Sequence, residues 1–416
     1  MTVHVPSTAY ADAIEKLADE LAVPERRFDQ AESRYKDLGE WLHRPASTVR
    51  DFDPDVHVQG SFALGTPIKP ASSEEDYDLD IVVVFRALKQ KDITQEELRD
   101  RLRFELEAYR QARGMKNEVG NSRRCCTLEY ADGAQFHMDV LPALPNAEEM
   151  RAILASAGGD ADLGDDGIAI TDNETDGYWY IHEDWPRSNP RGYAKWFKLR
   201  MIQRLNEARR RYLDKRGKVT ASVEEVPVFR VRTPLQSAIM ILKRHRDETF
   251  EDDPDVKPIS VIVTTLSAQA YRGEDTVAAA LNVILRTMDT FIEDRNGVRW
   301  IKNPSDPTEN FADRWETHPE REQAFFTWLA KARQDFAQAS RHANASTVLT
   351  ELRGSFGENL IEGAKVRVNG PAAPAVHTGR RTPSVAPAAG LAAGAAAAGP
   401  SFGNESRKPT EPKGFG

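Results

Sequence analysis

Cysteine is nearly absent from this 416-residue chain. Its only two, Cys125 and Cys126, are neighbours and cannot tie distant parts of a fold together. A disulfide scaffold of the secreted kind is thereby excluded, and a reducing compartment fits better. A secretory start is missing as well, because the opening MTVHVPSTAYADAIEKLADE has no basic segment followed by an apolar one. No long hydrophobic run occurs: the longest bland stretch, 388–399, is twelve residues of mostly Ala and Gly, whereas a membrane span needs about 20 strongly apolar ones. Excess positive charge is also lacking. Fifty-six basic against sixty-five acidic side chains leave a formal charge of −9, which argues against a generally basic nucleic-acid coat protein. A local basic patch stays open, and the expectation is a soluble cytoplasmic protein. With 40% hydrophobic residues and roughly 150 residues per domain, the chain can form two or three units and an enclosed site.

The pattern of apolar residues then divides the chain. Three- and four-residue spacing predicts helices over 8–21 and 24–42, and again over 95–112 (QEELRDRLRFELEAYRQA). Between and after them the period shortens. Residues 56–59 read as a short strand, and 78–85 (DLDIVVVF) as a strand whose second half is buried on both faces. Residues 125–130 and 135–141 read as the arms of a hairpin turning at Asp132-Gly133, a pair suited to a type I′ turn. Past about residue 187 the signals are helical. Asn189-Pro190 is a cap with proline at the first helical position, opening a helix to about 212. Thr233-Pro-Leu-Gln236 is a capping box opening 235–247, followed by helices over 259–271, 276–293 and 320–341. The fold class expected is α+β: residues 1–186 form a catalytic lobe with a small mixed sheet and N-terminal helices, and 187–368 form a helical lobe. Residues 369–416 are rich in Pro, Ala and Gly; they bury too little apolar surface to offset ordering entropy and read as a disordered tail.

Three motifs in the first lobe carry chemistry. Gly60-Ser61 follows the first strand, Asp78-Leu79-Asp80 opens the apolar strand, and Asp139 lies in the second arm of the hairpin, within HMDVLPAL. Residues two apart on a strand share a face, so Asp78 and Asp80 point the same way, and a third carboxylate on a neighbouring strand can join them. Carboxylates brought that close repel one another unless cations lie between them. Oxygen ligands select Mg²⁺ or Mn²⁺, and two such ions about 3.5–4 Å apart bring a hydroxyl in line with an α-phosphate and hold the leaving pyrophosphate. A glycine at a strand end lets backbone amides approach a phosphate, and the serine hydroxyl adds a donor. Taken singly, each motif is commonplace: a solvated strand end, a turn, a hydrogen-bonded aspartate. Their joint occurrence in one α+β unit is what points to nucleotide chemistry.

The segments VQGSFALGT (58–66), YDLDIVVVF (77–85) and FHMDVLP (136–142) resemble the catalytic core of the polymerase-β-like nucleotidyltransferases. More specifically, they resemble the bacterial cGAS/DncV-like group, which makes cyclic oligonucleotide signals in anti-phage (CBASS) defence. SNPRGYAKWF (188–197), TPLQSAIMILKRHRD (233–247), KPISVIVTTL (257–266) and NPSDPTENFADRW (303–315) are similar to segments of the same group, so the resemblance spans about residues 25–365. It departs in spacing, since Ser61 and Asp78 stand further apart than in the general pattern, which implies a longer loop over 67–76. The resemblance implies that Asp78 and Asp80 hold two Mg²⁺ ions, with Mn²⁺ a substitute. Asp139 would complete the metal site nearest the attacking hydroxyl and help deprotonate it. Gly60 and Ser61 would bind the donor triphosphate, with Lys243 and Ser260 reaching its β- and γ-phosphates. The substrates implied are ribonucleoside triphosphates, ATP or GTP or both, and the cyclic di- or trinucleotide product would act on a separate effector. A ubiquitin-transfer-like partner enzyme would attach the C-terminal Gly416 to targets.

Other features read more plainly. Arg209-Arg210-Arg211 with Lys215, Arg216 and Lys218 is expected as a solvated helix end, and the aromatics at 178–180, 185, 193 and 196 as core between lobes. Cys125, Cys126 and His137 lack zinc-ligand spacing. Two alternatives use the same residues differently: a transferase that nucleotidylates tRNA or protein, and an inactive core whose tail serves as a conjugation substrate.

Overall fold

The computed structural model describes residues 6–70, 76–130, 136–215 and 231–370. The chain opens with helices α1 (Thr8–Leu21) and α2 (Glu25–Leu42). Ser7 caps α1, its side chain accepting from the Tyr10 amide. Strand β1 (Pro54–Val58) runs into the single-turn helix α3 (Gly60–Leu64), and β2 (Tyr77–Phe85) follows. Helix α4 (Gln95–Ala112), capped by Thr94, leads to β3 (Gly120–Asn121), β4 (Cys126–Tyr130) and β5 (Phe136–Pro145). After α5 (Ala147–Ser156), strands β6 (Ile168–Ile170) and β7 (Arg187–Ser188) complete the sheet.

That sheet has the order β1-β2-β5-β4-β3, with β6 also on β5 and β7 on β6. β2 and β5 pair in parallel and the other pairings are antiparallel, so the sheet is mixed as expected. Strand alternation gives it two different faces. Leu79, Ile81, Val83 and Phe85 of β2 pack with Met138 and Val140 of β5 against α2 and α4. The opposite face buries Val82, Val84, Leu141, Ala143, Ile168 and Ile170 in a smaller cluster. Burial on both faces explains the unbroken apolar run of 81–85.

The register corrects one sequence expectation. A two-residue turn at Asp132-Gly133 would pair Thr127 with Met138; instead Tyr130 pairs with Phe136, and Thr127 with Asp139. The turn itself lies outside the described residues.

The second half is carried by α6 (Pro190–Arg200), α7 (Ile202–Lys215), α8 (Pro234–Thr249), α9 (Ser260–Ala270) and α10 (Val277–Thr287). Two small hairpins follow, β8 (Glu293–Arg295) with β9 (Val298–Trp300) and β10 (Lys302–Asn303) with β11 (Asp306–Asn310). The chain then ends in α11 (Pro319–Ala339), α12 (Ala345–Glu351), α13 (Arg353–Phe356) and α14 (Glu358–Asn369). The helix expected over 190–212 is broken at Met201, where φ is −123°. There the Arg200 side chain donates to the carbonyls of Ala268, Gln269 and Tyr271 at the end of α9. The hairpins interrupt a region expected to be purely helical. Asn296 and Gly297 adopt φ of 56° and 85° at the β8–β9 turn, the left-handed pair that an Asn-Gly hairpin needs.

One large core joins α1 with α6 and α8–α14. The first helix therefore contributes its buried face to the helical half, although chain order groups it with the sheet. Within that core α8 is surrounded, and every side chain from Leu235 to Arg246 is buried, four of them basic. The Thr233–Gln236 capping box that starts it is present as expected.

The aromatic group does not form one cluster. Trp185 packs in the sheet core and Tyr193 in the helical one, while Trp179 and Tyr180 are 58% and 66% exposed. Arg209 is buried rather than solvated. Among the described residues no helix is long and apolar enough to cross a membrane. Residues 371–416, the tail with Gly416, lie outside the described residues.

Candidate active site

The carboxylates meet because β2 and β5 are parallel neighbours. Asp80 pairs directly with Asp139, and Asp78 with His137. Paired residues in a parallel ladder project to the same face, so all four groups share one side of the sheet. Thr127 of β4 stands opposite Asp139 on the other flank. Its hydroxyl donates to Asp139 Oδ1 at 2.6 Å, and His137 Nε2 lies 3.4 Å from the same oxygen. Neither Thr127 nor His137 was singled out from the sequence for this role. The hairpin pattern would have disclosed Thr127 had the register been read correctly.

Gly60 sits against this group. Its φ is +59°, and a Cβ there would run into the Asp80 carboxylate. Only glycine combines that backbone conformation with so close an approach. The amide of the preceding Gln59 donates to the Asp80 carbonyl at 2.8 Å, which ties the turn to the strand that bears the aspartates.

A cavity of about 1170 Å³ opens beside the sheet, lined by Ser61 and Asp78 from the sheet half and by Lys243 and Ser260 from α8 and α9. Four residues singled out from separate stretches of sequence are thus brought to one space. Gly60, Asp80 and Asp139 are not among its lining residues; Asp78 is where the carboxylate face meets the cavity. The Lys243 ammonium donates to the Thr66 carbonyl at 3.1 Å. Two other buried polar side chains of α8 grip the same loop, Gln236 through the Leu64 carbonyl and Arg244 through that of Lys69. Ser260, at the start of α9, is exposed and accepts from Arg246 Nη1 at 2.9 Å. The same nitrogen donates to the Pro258 carbonyl. Arg244 and Arg246 carry no local signal for this place, and Gln236 reads from the sequence only as a capping residue.

The electrostatics show a site with uncompensated negative charge. Burial, then the charges of Asp78 and Asp139, push the Asp80 carboxyl up to about 6, with Lys243 opposing. Asp78 is raised too, first by burial, with His137 opposing and Asp139 reinforcing. Lys243 is pushed down to about 8, chiefly by burial and then by Arg246. Burial raises the Cys125 thiol to about 12, which removes it as a nucleophile. A hard divalent cation suits this donor set, since it would relieve the carboxylates' repulsion through oxygen ligands alone. Among the described residues no three acidic, histidine or cysteine side chains are already gathered at chelating distance. The carboxylates would have to close on such an ion, or share it with substrate oxygens.

Residues 54–142, which hold Gly60, Ser61 and all three aspartates, match the family described as Cyclic GMP-AMP synthase DncV-like, nucleotidyltransferase domain. Over most of its length the chain is also similar to curated cyclic dinucleotide synthases. A c-di-GMP synthase from Roseivirga ehrenbergii is 27% identical over 360 residues, 85% of either chain. A cyclic dinucleotide synthase, CdnG, from Bradyrhizobium diazoefficiens is 27% identical over 379 residues, 86% of this chain and 83% of the relative. The structure of that CdnG in complex with GTP shares the fold, with a TM-score of 0.64 at 22% sequence identity, covering 87% of this chain and 99% of the other. This nucleotidyltransferase is therefore an α+β enzyme whose family domain spans β1 to β5. Lys243 and Ser260 lie beyond that domain, on the helical half.

Proposed function

We propose that this enzyme makes a cyclic dinucleotide from ribonucleoside triphosphates, with GTP the first candidate, by template-independent nucleotidyl transfer. The observation that carries the reading is the shared face of Asp78, Asp80 and Asp139 beside a cavity to which Lys243 and Ser260 also contribute. Relatives named as cyclic dinucleotide synthases, matched over most of their length, favour this reading over transfer to tRNA or protein and over an inactive core.

The residues divide the work. Gly60 and Ser61 hold the donor, and the ammonium of Lys243 and the hydroxyl of Ser260 meet its outer phosphates. Asp78, Asp80 and Asp139 hold Mg²⁺, or Mn²⁺ in its place. When bound, the cation neutralises phosphate charge and makes the attacking ribose hydroxyl more acidic. Asp139 accepts the hydroxyl proton, its carboxylate oriented by Thr127. The oxygen attacks the α-phosphorus, and the bond to the bridging oxygen of pyrophosphate breaks. A second round between the ends of the linear product closes the ring. What the chain supplies is alignment and charge complementarity.

The anti-phage setting, an effector that reads the product, and attachment of the chain through Gly416 by a ubiquitin-transfer-like enzyme belong to the same reading and rest on the resemblance. The test is turnover of labelled triphosphates by purified protein in Mg²⁺. Asp78→Ala is expected to lower the rate by at least about a thousandfold while the melting temperature is kept. Turnover equal to the unaltered protein would remove the carboxylates from the mechanism.

A further inference from the structure

His245 lies on α8 two residues after Lys243, fully buried, and does not face the cavity. At about 100° per residue it sits roughly 200° around the helix from Lys243. Its ring is held from both sides. The Trp328 indole N–H donates to Nδ1 at 3.0 Å, and Nε2 stands 3.0 Å from Asp335 Oδ2. An indole can only donate, so Nδ1 must be the acceptor and Nε2 must carry the proton given to Asp335. The ring is thereby fixed as one neutral tautomer. Burial acts in the same direction, lowering the imidazole's proton affinity. The Asp335 oxygen also accepts from Lys331 and from Ser355, both at 2.6 Å. Phe336 and Phe356 pack around the imidazole with ring centroids 5.8 Å away.

This chain of bonds ties together the walls of the cavity. α8 contributes Lys243, Arg244 and Arg246 to its lining, the start of α11 contributes Arg321, and the segment after Ser355 contributes Phe356 to Leu360. Asp335 and Trp328 are on α11 and Ser355 on α13. On the other side of α8, Gln236 and Lys243, seven residues apart and so on one stripe, reach the Leu64 and Thr66 carbonyls just after Ser61. The helix is thus pinned at opposite faces by directional hydrogen bonds.

We propose that the Trp328–His245–Asp335 chain is a positioning device for the triphosphate grip: it sets the roll of α8 and so the reach of Lys243 and Arg246 into the cavity. The inference rests on the nucleotide-binding reading above and names these three as positioning residues for it, none of them touching substrate.

The experiment compares the affinity of the full-length protein in Mg²⁺ for a triphosphate and for its monophosphate, GTP with GMP and ATP with AMP. His245→Phe keeps an aromatic ring among Phe336 and Phe356 but leaves Trp328 and Asp335 without their partner. It is expected to weaken triphosphate binding about tenfold and monophosphate binding by no more than about twofold. Asp335→Asn, whose amide oxygen can still accept from Nε2, should give a smaller loss of the same selectivity. It serves as the test if His245→Phe does not fold. Equal weakening of tri- and monophosphate, or none of either, would reduce the chain to ordinary core and overturn the proposal. Failure of the unaltered protein to bind any nucleotide would instead bring down the functional reading, and the positioning role with it.

Discussion

Asp80 shows what a single residue bears in this site. Its carboxyl is half-buried, faces Asp139 across the parallel ladder and leaves room beside it only for a glycine. In the folded chain its proton is retained up to about pH 6, well above the ordinary carboxylate range. Folded protein therefore binds the proton more tightly than unfolded protein. The stability tied to Asp80 is present below the ordinary range and is lost as pH rises through about 6, opposite to the trend of a salt-bridged aspartate. A cation held between the carboxylates would recover that loss, because it favours the ionised form. The expected outcome is a Mg²⁺-induced rise in melting temperature that is larger at pH 7.5 than at pH 5 and largely absent in Asp80→Asn. A rise of the same size at both pH values would indicate that the ion binds elsewhere.

At the scale of elements, the sequence was most legible where a local rule coincided with the tertiary demand. α1 and α4 begin and end where apolar spacing places them, and the structure adds the Ser7 and Thr94 caps. β2 reads as a strand because Ile81–Phe85 must be apolar on both faces. The aspartates were legible for the same reason, since a two-residue spacing on a strand survives any packing of the rest. Pairwise facts were harder to reach. That Asp80 lies opposite Asp139 depends on a parallel pairing across 58 positions of chain, which no local pattern encodes. The break at Met201 follows from carbonyls of α9 that draw on Arg200, again a contact distant in sequence. The Asn296-Gly297 turn, in contrast, carries a clear local signal just beyond the helix expected over 276–293, which ends at Thr287.

α8 carries a buried, titratable cation. Its Lys243 is almost wholly buried and gives up its proton near pH 8. Triphosphate affinity is expected to be highest below that pH and to weaken as pH rises through it, because the ammonium is the phosphate-binding form. Lys243→Gln should bind less tightly throughout and lose this pH dependence. Retention of the slope in Lys243→Gln would assign it to another group.

On the scale of the whole molecule, the cavity lies between two differently built cores, a sheet that brings Asp78 to it and a helical bundle that brings Lys243, Arg244 and Arg246. Asp78 reaches the cavity from the sheet and Lys243 from α8, so in the proposed reaction the two must be aligned across it. Gln236, Lys243 and Arg244 fasten α8 to the loop after Ser61 and so hold the two halves in register at the cavity. The proposed attachment through Gly416 predicts a separation of roles. Deletion of 371–416 should leave synthesis by the purified enzyme unchanged and abolish covalent attachment in cells, as read by the shift of the chain on a denaturing gel. Loss of synthesis on deletion would show that the C-terminal segment takes part in the reaction itself.

The product identifies the enzyme most directly. Purified enzyme incubated with Mg²⁺ and each combination of the four ribonucleoside triphosphates, followed by phosphatase treatment and mass spectrometry, should yield a phosphatase-resistant cyclic dinucleotide. That species should form with GTP in the mixture and be absent with Asp78→Ala. Label transferred instead to added RNA or protein, or only linear products whose terminal phosphates the phosphatase removes, would contradict the proposed function.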